Sequence, residues 1–207
     1  LLYFDSSFCW LVSNAERGGN VEETLLILAE EYERSVDYLR KSFMTLVGPA
    51  VVIDVRAQVA KDADYALTPD DVRAFESRHG EIASGTIVLL RTGYDSRWPD
   101  RKAYFGDDTP NDASRLHFPS FGSDAARLLV EERKVAVLGV DTASIDIGQS
   151  RDFQVHRIAA AKNVPGLENL AALAQLPPTG ATVIALPMKI EVGSGGPVRV
   201  IALLPAD

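Results

Sequence analysis

Three short apolar runs rich in β-branched residues constrain this chain most: AVVIDVR (50–56), GTIVLLRTG (85–93) and KVAVLGVD (134–141). Each is too short for a stable helix and lacks the polar alternation of a half-solvated strand, so each reads as a strand buried on both faces. Helical patterns lie between them: TPDDVRAFESRHG (68–80), SDAARLLVEER (123–133), a stretch around Val155 to Lys162, and a short one around Leu167 to Leu176. Two further strands, TVIALPMKI (182–190) and PVRVIALL (197–204), close the chain around the Gly-rich EVGSGG. Strands alternating with helices predict an α/β domain whose sheet is at least partly parallel. No internal repeat or low-complexity linker interrupts residues 1–207, so one domain is the simplest division.

Local signals sharpen several boundaries. In 68–80, Thr68 is placed to cap, Pro69 sits at the first helical position, Asp70 and Asp71 fill the first turn, and Gly80 stops the helix. His79 falls in the last turn, where the helix dipole favours a solvated imidazole. Ser123 reads as the cap of the following helix. VEETLLILAEEYERSVDYLRKSFMTL (21–46) has neither Gly nor Pro. Its Leu25, Leu28, Tyr32, Val36, Leu39 and Phe43 recur every three or four residues, which predicts an amphipathic helix. Residues 94–121 show no sustained period. Their aromatic side chains, Tyr94, Trp98, Tyr104, Phe105, Phe118 and Phe121, argue for an ordered functional loop rather than disorder.

Composition narrows the partners. A net charge of -8 over 207 residues disfavours nucleic acid or an anionic membrane surface, both of which select for clustered Lys and Arg. A small molecule or another protein is the expected partner. The single cysteine, Cys9, forms no internal disulfide, which suits a reducing compartment such as the cytoplasm. The opening LLYFDSSFCWLV has no basic flank, is too interrupted for a membrane span and matches a signal peptide poorly; its missing Met suggests a fragment, a processed chain or a trimmed one.

Chemistry-bearing residues gather late in the sequence. Asp141 ends the third strand, and the loop after it adds Ser144, Asp146 and Asp152 before a helix carrying His156. Ligands of open α/β sheets bind at the carboxyl ends of strands, so this loop is well placed. An Asp in a loop is more often a turn or cap residue, and Asp152 reads as the cap of the next helix. His156, between Val155 and Ile158, reads by default as a packed histidine. Glu168, twelve residues on, raises a second reading, because imidazole and carboxylate together suit Zn, Mn or Fe.

VDTASIDIG (140–148) and DFQVHRIAAAKNVPGLENLAALAQLPPTGATVIALPMKIEVGSGGPVRVIALLP (152–205) resemble the C-terminal half of the putative cyclase family, which includes bacterial kynurenine formamidases and isatin hydrolases. LVGPAVVIDV, TPDDVRAFESRHG, IVLLRTGY and LHFPSFGSDAARLLVE resemble earlier blocks in the same order, so the resemblance spans about Phe43 to Pro205. It implies a swivelling β/β/α fold in a homodimer or larger homo-oligomer, and metal-dependent hydrolysis of an amide C–N bond. Its substrates would be small aromatic amides such as N-formylkynurenine or isatin. It places His156 and Glu168 as ligands of a divalent metal, Zn or Mn, with Asp141, Ser144 and Asp146 as supporting residues.

One block of that pattern is missing. The family's HxGTHxDxPxH-type run should shortly precede LVGPAVVIDV, but residues 11–43 contain no His, and the first histidine in the chain is His79. Asp5, Cys9, Glu16, Glu22 and Glu23 are possible ligands in the N-terminal stretch, but Glu22 and Glu23 are better explained as first-turn residues of the helix. Two readings follow. In one, the chain is an amide hydrolase whose other ligands come from elsewhere, and aromatic residues of the long loop stack on the substrate. In the other, it is a non-catalytic relative that binds or assembles.

Overall fold

The structure is a computed structural model and describes residues 46–109, 112–188 and 195–205. The chain divides into two units, Leu1–Met44 and Thr45–Asp207, and every described residue belongs to the second. The helix expected from Val21 lies outside the described residues, as do Asp5, Cys9, Glu16, Glu22 and Glu23.

Six strands form one mixed sheet. In chain order they are β1 (Val47–Asp54), β3 (Ile87–Arg91), β5 (Val137–Val140), β6 (Gly166–Leu167), β7 (Ala181–Pro187) and β8 (Val198–Leu203). Their order across the sheet is β6-β5-β3-β1-β7-β8. The β1/β3, β3/β5 and β5/β6 pairs are parallel, whereas β1/β7 and β7/β8 are antiparallel. Two-residue strands β2 (Ala66–Leu67) and β4 (Ser120–Phe121) pair beside it.

Alternate residues of the central strands feed two cores, which is why their sequences show no polar alternation. One face packs Ile53, Val88, Leu90, Leu138 and Val140 with helical Val72, Phe75, Ala125, Leu129 and Ile158. The other packs Ala50, Val52, Ile87, Leu89 and Val137 with Leu167, Leu170 and Leu173. Five helices complete the described fold: α1 (Arg56–Val59), α2 (Pro69–His79), α3 (Arg101–Phe105), α4 (Ser123–Arg127) and α5 (Gln154–Ala161).

Helix α2 begins and ends where its punctuation predicts. Thr68 Oγ1 accepts from the Asp71 N–H at 3.2 Å while Asp71 Oδ2 accepts from the Thr68 N–H at 2.9 Å, a reciprocal capping box. Other boundaries differ. Gly122, not Ser123, is the N-cap residue of α4 and provides no side-chain cap; the helix then widens into a π-helical stretch over Leu128–Glu132. The 94–121 segment is not uniformly irregular, since α3 and two 3₁₀ turns at Tyr94–Arg97 and Ala113–Arg115 lie within it. No continuous helix covers 167–176: Gly166–Leu167 adds a strand to the sheet edge, and positive φ at Asn169 and Ala172 leaves only a 3₁₀ turn at Leu173–Gln175.

An ion pair ties α2 to the π-helical end of α4. Arg133 donates from Nε to Glu76 Oε1 at 2.7 Å and from Nη2 to Oε2 at 3.0 Å. That fork holds the Glu76 carboxyl below its usual 4.5. A lowered folded pKa gives stability that is present above about pH 4.5 and lost as the pH falls through the folded value. Glu76→Gln is therefore expected to cost about 1–2 kcal/mol at neutral pH and much less in strong acid. Urea unfolding at pH 7 and pH 3 checks it; an equal loss at both would refute the linkage.

Candidate functional site

Asp141 follows β5 immediately and is completely buried. Its carboxylate accepts from the Thr92 N–H at 2.9 and 3.1 Å, from Thr92 Oγ1 at 2.6 Å and from the Gly93 N–H at 2.8 Å. Burial pushes its carboxyl above the usual carboxylate range, although these donors pull the other way. Asp141 thus brackets the carboxyl end of β3 to that of β5.

The loop after Asp141 holds Ser144 and Asp146. Ser144 is a loop support: its carbonyl accepts from Ser120 Oγ at 2.7 Å and from Thr142 Oγ1 at 3.2 Å, and its Oγ accepts from the Asp146 N–H at 3.2 Å. Gly148 fixes the loop's far side, donating to the Phe118 carbonyl at 3.0 Å. A Cβ there would meet backbone atoms of Leu116 and Phe118 at 2.7 Å.

Asp146 does what was expected of Asp152, and more. Its side chain is 4% exposed. Oδ1 accepts from the Val155 N–H at 2.9 Å and from Ser150 Oγ at 3.3 Å. Oδ2 accepts from the His156 N–H at 3.1 Å and meets His156 Nδ1 at 2.7 Å. One carboxylate therefore satisfies free N–H groups at the start of α5 and fixes its imidazole. Asp152 instead accepts from Gln154 Nε2 at 2.8 Å, and the N-cap residue is Phe153, at φ 51°.

His156 is not packed away. Its side chain is 45% exposed, and Nε2 lies 3.3 Å from Glu168 Oε1. Glu168 sits in the turn after β6, where Oε1 also accepts from the Ile145 N–H at 3.0 Å. The adjoining backbone is pinned by the Asn169 N–H donating to the Thr142 carbonyl at 2.8 Å and the Leu170 N–H to that of Val140 at 3.1 Å. Asp146, His156 and Glu168 are thus brought together; Asp141 and Ser144 stand behind them.

Tyr104, one of the loop aromatics expected against a substrate, is buried behind this region instead. Its hydroxyl donates to Asn169 Oδ1 at 3.0 Å and reaches the Asp141 carbonyl at 3.3 Å. Burial, then the charges of Asp141, Asp95 and Glu168, push it up to about 12, so the phenol keeps its proton.

The donor set fits one side of a metal centre. In the tautomer that donates Nδ1–H to Asp146, an uncharged imidazole would present a lone pair at Nε2 to a carboxylate oxygen 3.3 Å away. Two acceptors that close repel unless a proton or a cation lies between them. Two ligands of a tetrahedral zinc ion, each about 2.0–2.2 Å from the metal, stand about 3.3–3.5 Å apart, which this spacing matches. A carboxylate on the far imidazole nitrogen is the usual second partner of a metal-binding His. Among the described residues, no group of three or more His, Cys, Asp or Glu side chains could hold an ion by itself.

The expectation that the long loop stacks its aromatic residues on a substrate is largely overturned. Tyr94, Tyr104, Phe118 and Phe121 are buried and fill the space beneath the loop, and Phe105 packs partly against them. Trp98 alone of the six is largely exposed. The aromatic ring beside His156 is instead Phe153, at 6.1 Å between centroids and nearly perpendicular. No helix among the described residues is long and apolar enough to cross a membrane.

Comparison with known proteins agrees with the fold. The family profile described as putative cyclase matches residues 29–147, more than half of the chain, covering Asp141, Ser144 and Asp146 and stopping before His156. An isatin hydrolase from Roseibium aggregatum is 37% identical over 164 residues, 77% of this chain and 60% of its own length. A kynurenine formamidase from Salinibacter ruber is 28% identical over 161 residues, 76% of this chain and 63% of its own. Among solved structures, an isatin hydrolase bound to the product analogue thioisatinate has a TM-score of 0.73 at 37% identity, covering 78% of this chain and 62% of its own. Isatin hydrolase A from Ralstonia solanacearum gives 0.72 at 41% identity, covering 78% and 61%. The chain spans about three-fifths of the length of these relatives. By its profile match and its fold, the chain belongs to the family described as putative cyclase.

Proposed function

We propose that this chain carries part of the catalytic centre of a metal-dependent amide hydrolase, with His156 Nε2 and the Glu168 carboxylate as ligands of a divalent cation, Zn or Mn. The observation that carries this reading is the 3.3 Å approach of Nε2 to Glu168 Oε1 with Asp146 fixed on Nδ1. A bound divalent cation supplies Lewis acidity and lowers the pKa of water toward neutrality. Asp146 holds the imidazole in the tautomer that leaves Nε2 free, and the Ile145 N–H orients the glutamate. The substrate class is a small aromatic amide, linear like N-formylkynurenine or cyclic like isatin. That choice rests on the isatin hydrolase and kynurenine formamidase among the relatives. The chain would work as a homodimer or larger homo-oligomer, in the cytoplasm.

Calorimetric titration with Zn²⁺ and Mn²⁺ tests the ligand assignment. His156→Ala and Glu168→Ala are each expected to weaken binding by more than about 100-fold. Stoichiometric metal that survives both changes would sink it. Hydrolysis of isatin and N-formylkynurenine, followed by absorbance with either metal added, tests the activity. The absence of His from the first 78 residues favours a second reading, a relative that binds without turning over. Tight metal binding with no turnover of either amide is the outcome that would select it.

A further inference from the structure

We propose that Phe153 is the aromatic wall of the substrate site, and that it selects amides bearing an aryl ring over those bearing a saturated one. This inference deepens the amide-hydrolase reading and rests on it for the identity of the reacting group. Phe153 combines two unfavourable features. Its backbone is in the left-handed region, at φ 51°, where a bulky residue without a glycine's freedom is strained. Its ring is 55% exposed, so little packing offsets that strain. Four of the six aromatic residues in the long loop are buried, whereas this ring is held out beside the ligand pair.

The surroundings give the strain a direction. Phe153 immediately precedes α5, and its N–H donates to Ser150 Oγ at 3.2 Å. Ser150 Oγ in turn donates to Asp146 Oδ1 at 3.3 Å, so the carboxylate that orients His156 also anchors this backbone turn. The left-handed turn holds the ring edge-on to the imidazole, 6.1 Å between centroids at 85°. Asn169 and Ala172, two more non-glycine residues at positive φ, follow Glu168. Three of the five such residues in the described structure therefore flank the His156–Glu168 pair, and only Phe153 carries a large apolar surface. An aryl group whose amide carbon approaches Nε2 and Glu168 would lie against that surface, where offset or edge-on aromatic packing adds to simple burial.

Calorimetric binding of isatin, N-formylaniline and N-formylcyclohexylamine to the purified chain, with and without added Zn²⁺, reads the proposal directly. Wild type should prefer N-formylaniline to its cyclohexyl counterpart, and Phe153→Leu should reduce that preference by roughly 3- to 10-fold. Phe153→Trp should restore it. Phe153→Gly should raise Tm by about 2–4 °C while losing the same preference, because strain is relieved as the ring is removed. Unchanged selectivity in the Leu variant, or no aryl binding by wild type, overturns the proposal whether or not the cation binds. Failure of the metal titration with aryl selectivity intact instead removes the hydrolase reading and leaves the aryl site standing.

Discussion

Replacing Asp146 by Ala is expected to lower stability by about 3–5 kcal/mol and to abolish the cation binding proposed for His156 and Glu168. The reason is that this one side chain, 4% exposed, serves the Val155 and His156 N–H groups and the His156 ring of α5 and Ser150 Oγ of the loop before it. Its loss leaves the N–H groups of Val155 and His156 without their partner at the start of α5 and frees the imidazole to turn. Asp146→Asn separates the two effects. The amide keeps one acceptor oxygen but opposes a second donor to those facing it, so stability should fall less than in the Ala variant. Metal affinity should still drop by about 10- to 100-fold, the usual effect of altering the partner of a metal-bound His. Chemical denaturation and metal titration of both variants check this. An Asn variant with wild-type metal affinity would show that the Nδ1 contact does not orient the ligand.

Asp141→Ala should be comparably damaging, at about 3–5 kcal/mol, but through the sheet rather than the helix. The four hydrogen bonds it accepts come from Thr92 and Gly93, and both residues' N–H groups would lose their partner inside the fold. Removing the bracket frees the turn at Gly93 and the start of the segment that carries Tyr104. Metal affinity, measured where the variant remains folded, should change by less than about threefold, because Asp141 does not touch His156 or Glu168. A selective loss of metal with unchanged unfolding free energy would reverse this assignment.

Much of the scaffold is readable in the residues themselves. The three central strands follow from β-branched runs with no polar alternation, and α2 from Thr68, Pro69, Asp71 and Gly80. The region around the site was legible in composition but not in detail. The sequence suggests that Asp152 caps α5, because it lies next to the helix start. The structure gives that work to Asp146, because a loop folded back on itself brings a residue distant in sequence to the same N–H groups. Propensity likewise suggests a helix from Leu167, whereas pairing at the sheet edge with Gly139 and the positive φ at Asn169 override it. Phe153 escaped notice because nothing in DFQVHR marks a phenylalanine as left-handed. That conformation comes from contacts with Ser150 and Asp146 that only the folded loop creates.

The shared use of Asp146 ties ligand geometry to local folding. An imidazole held only by its own torsions would lose its orientational freedom when a cation arrived, and binding would weaken accordingly. Here that freedom is lost when α5 forms, because the carboxylate that closes the helix start also holds Nδ1. Fraying of the first turn and misalignment of the imidazole are one event. A bound cation should then slow hydrogen exchange at the Val155 and His156 amides, making the backbone of α5 a reporter of an ion it does not touch.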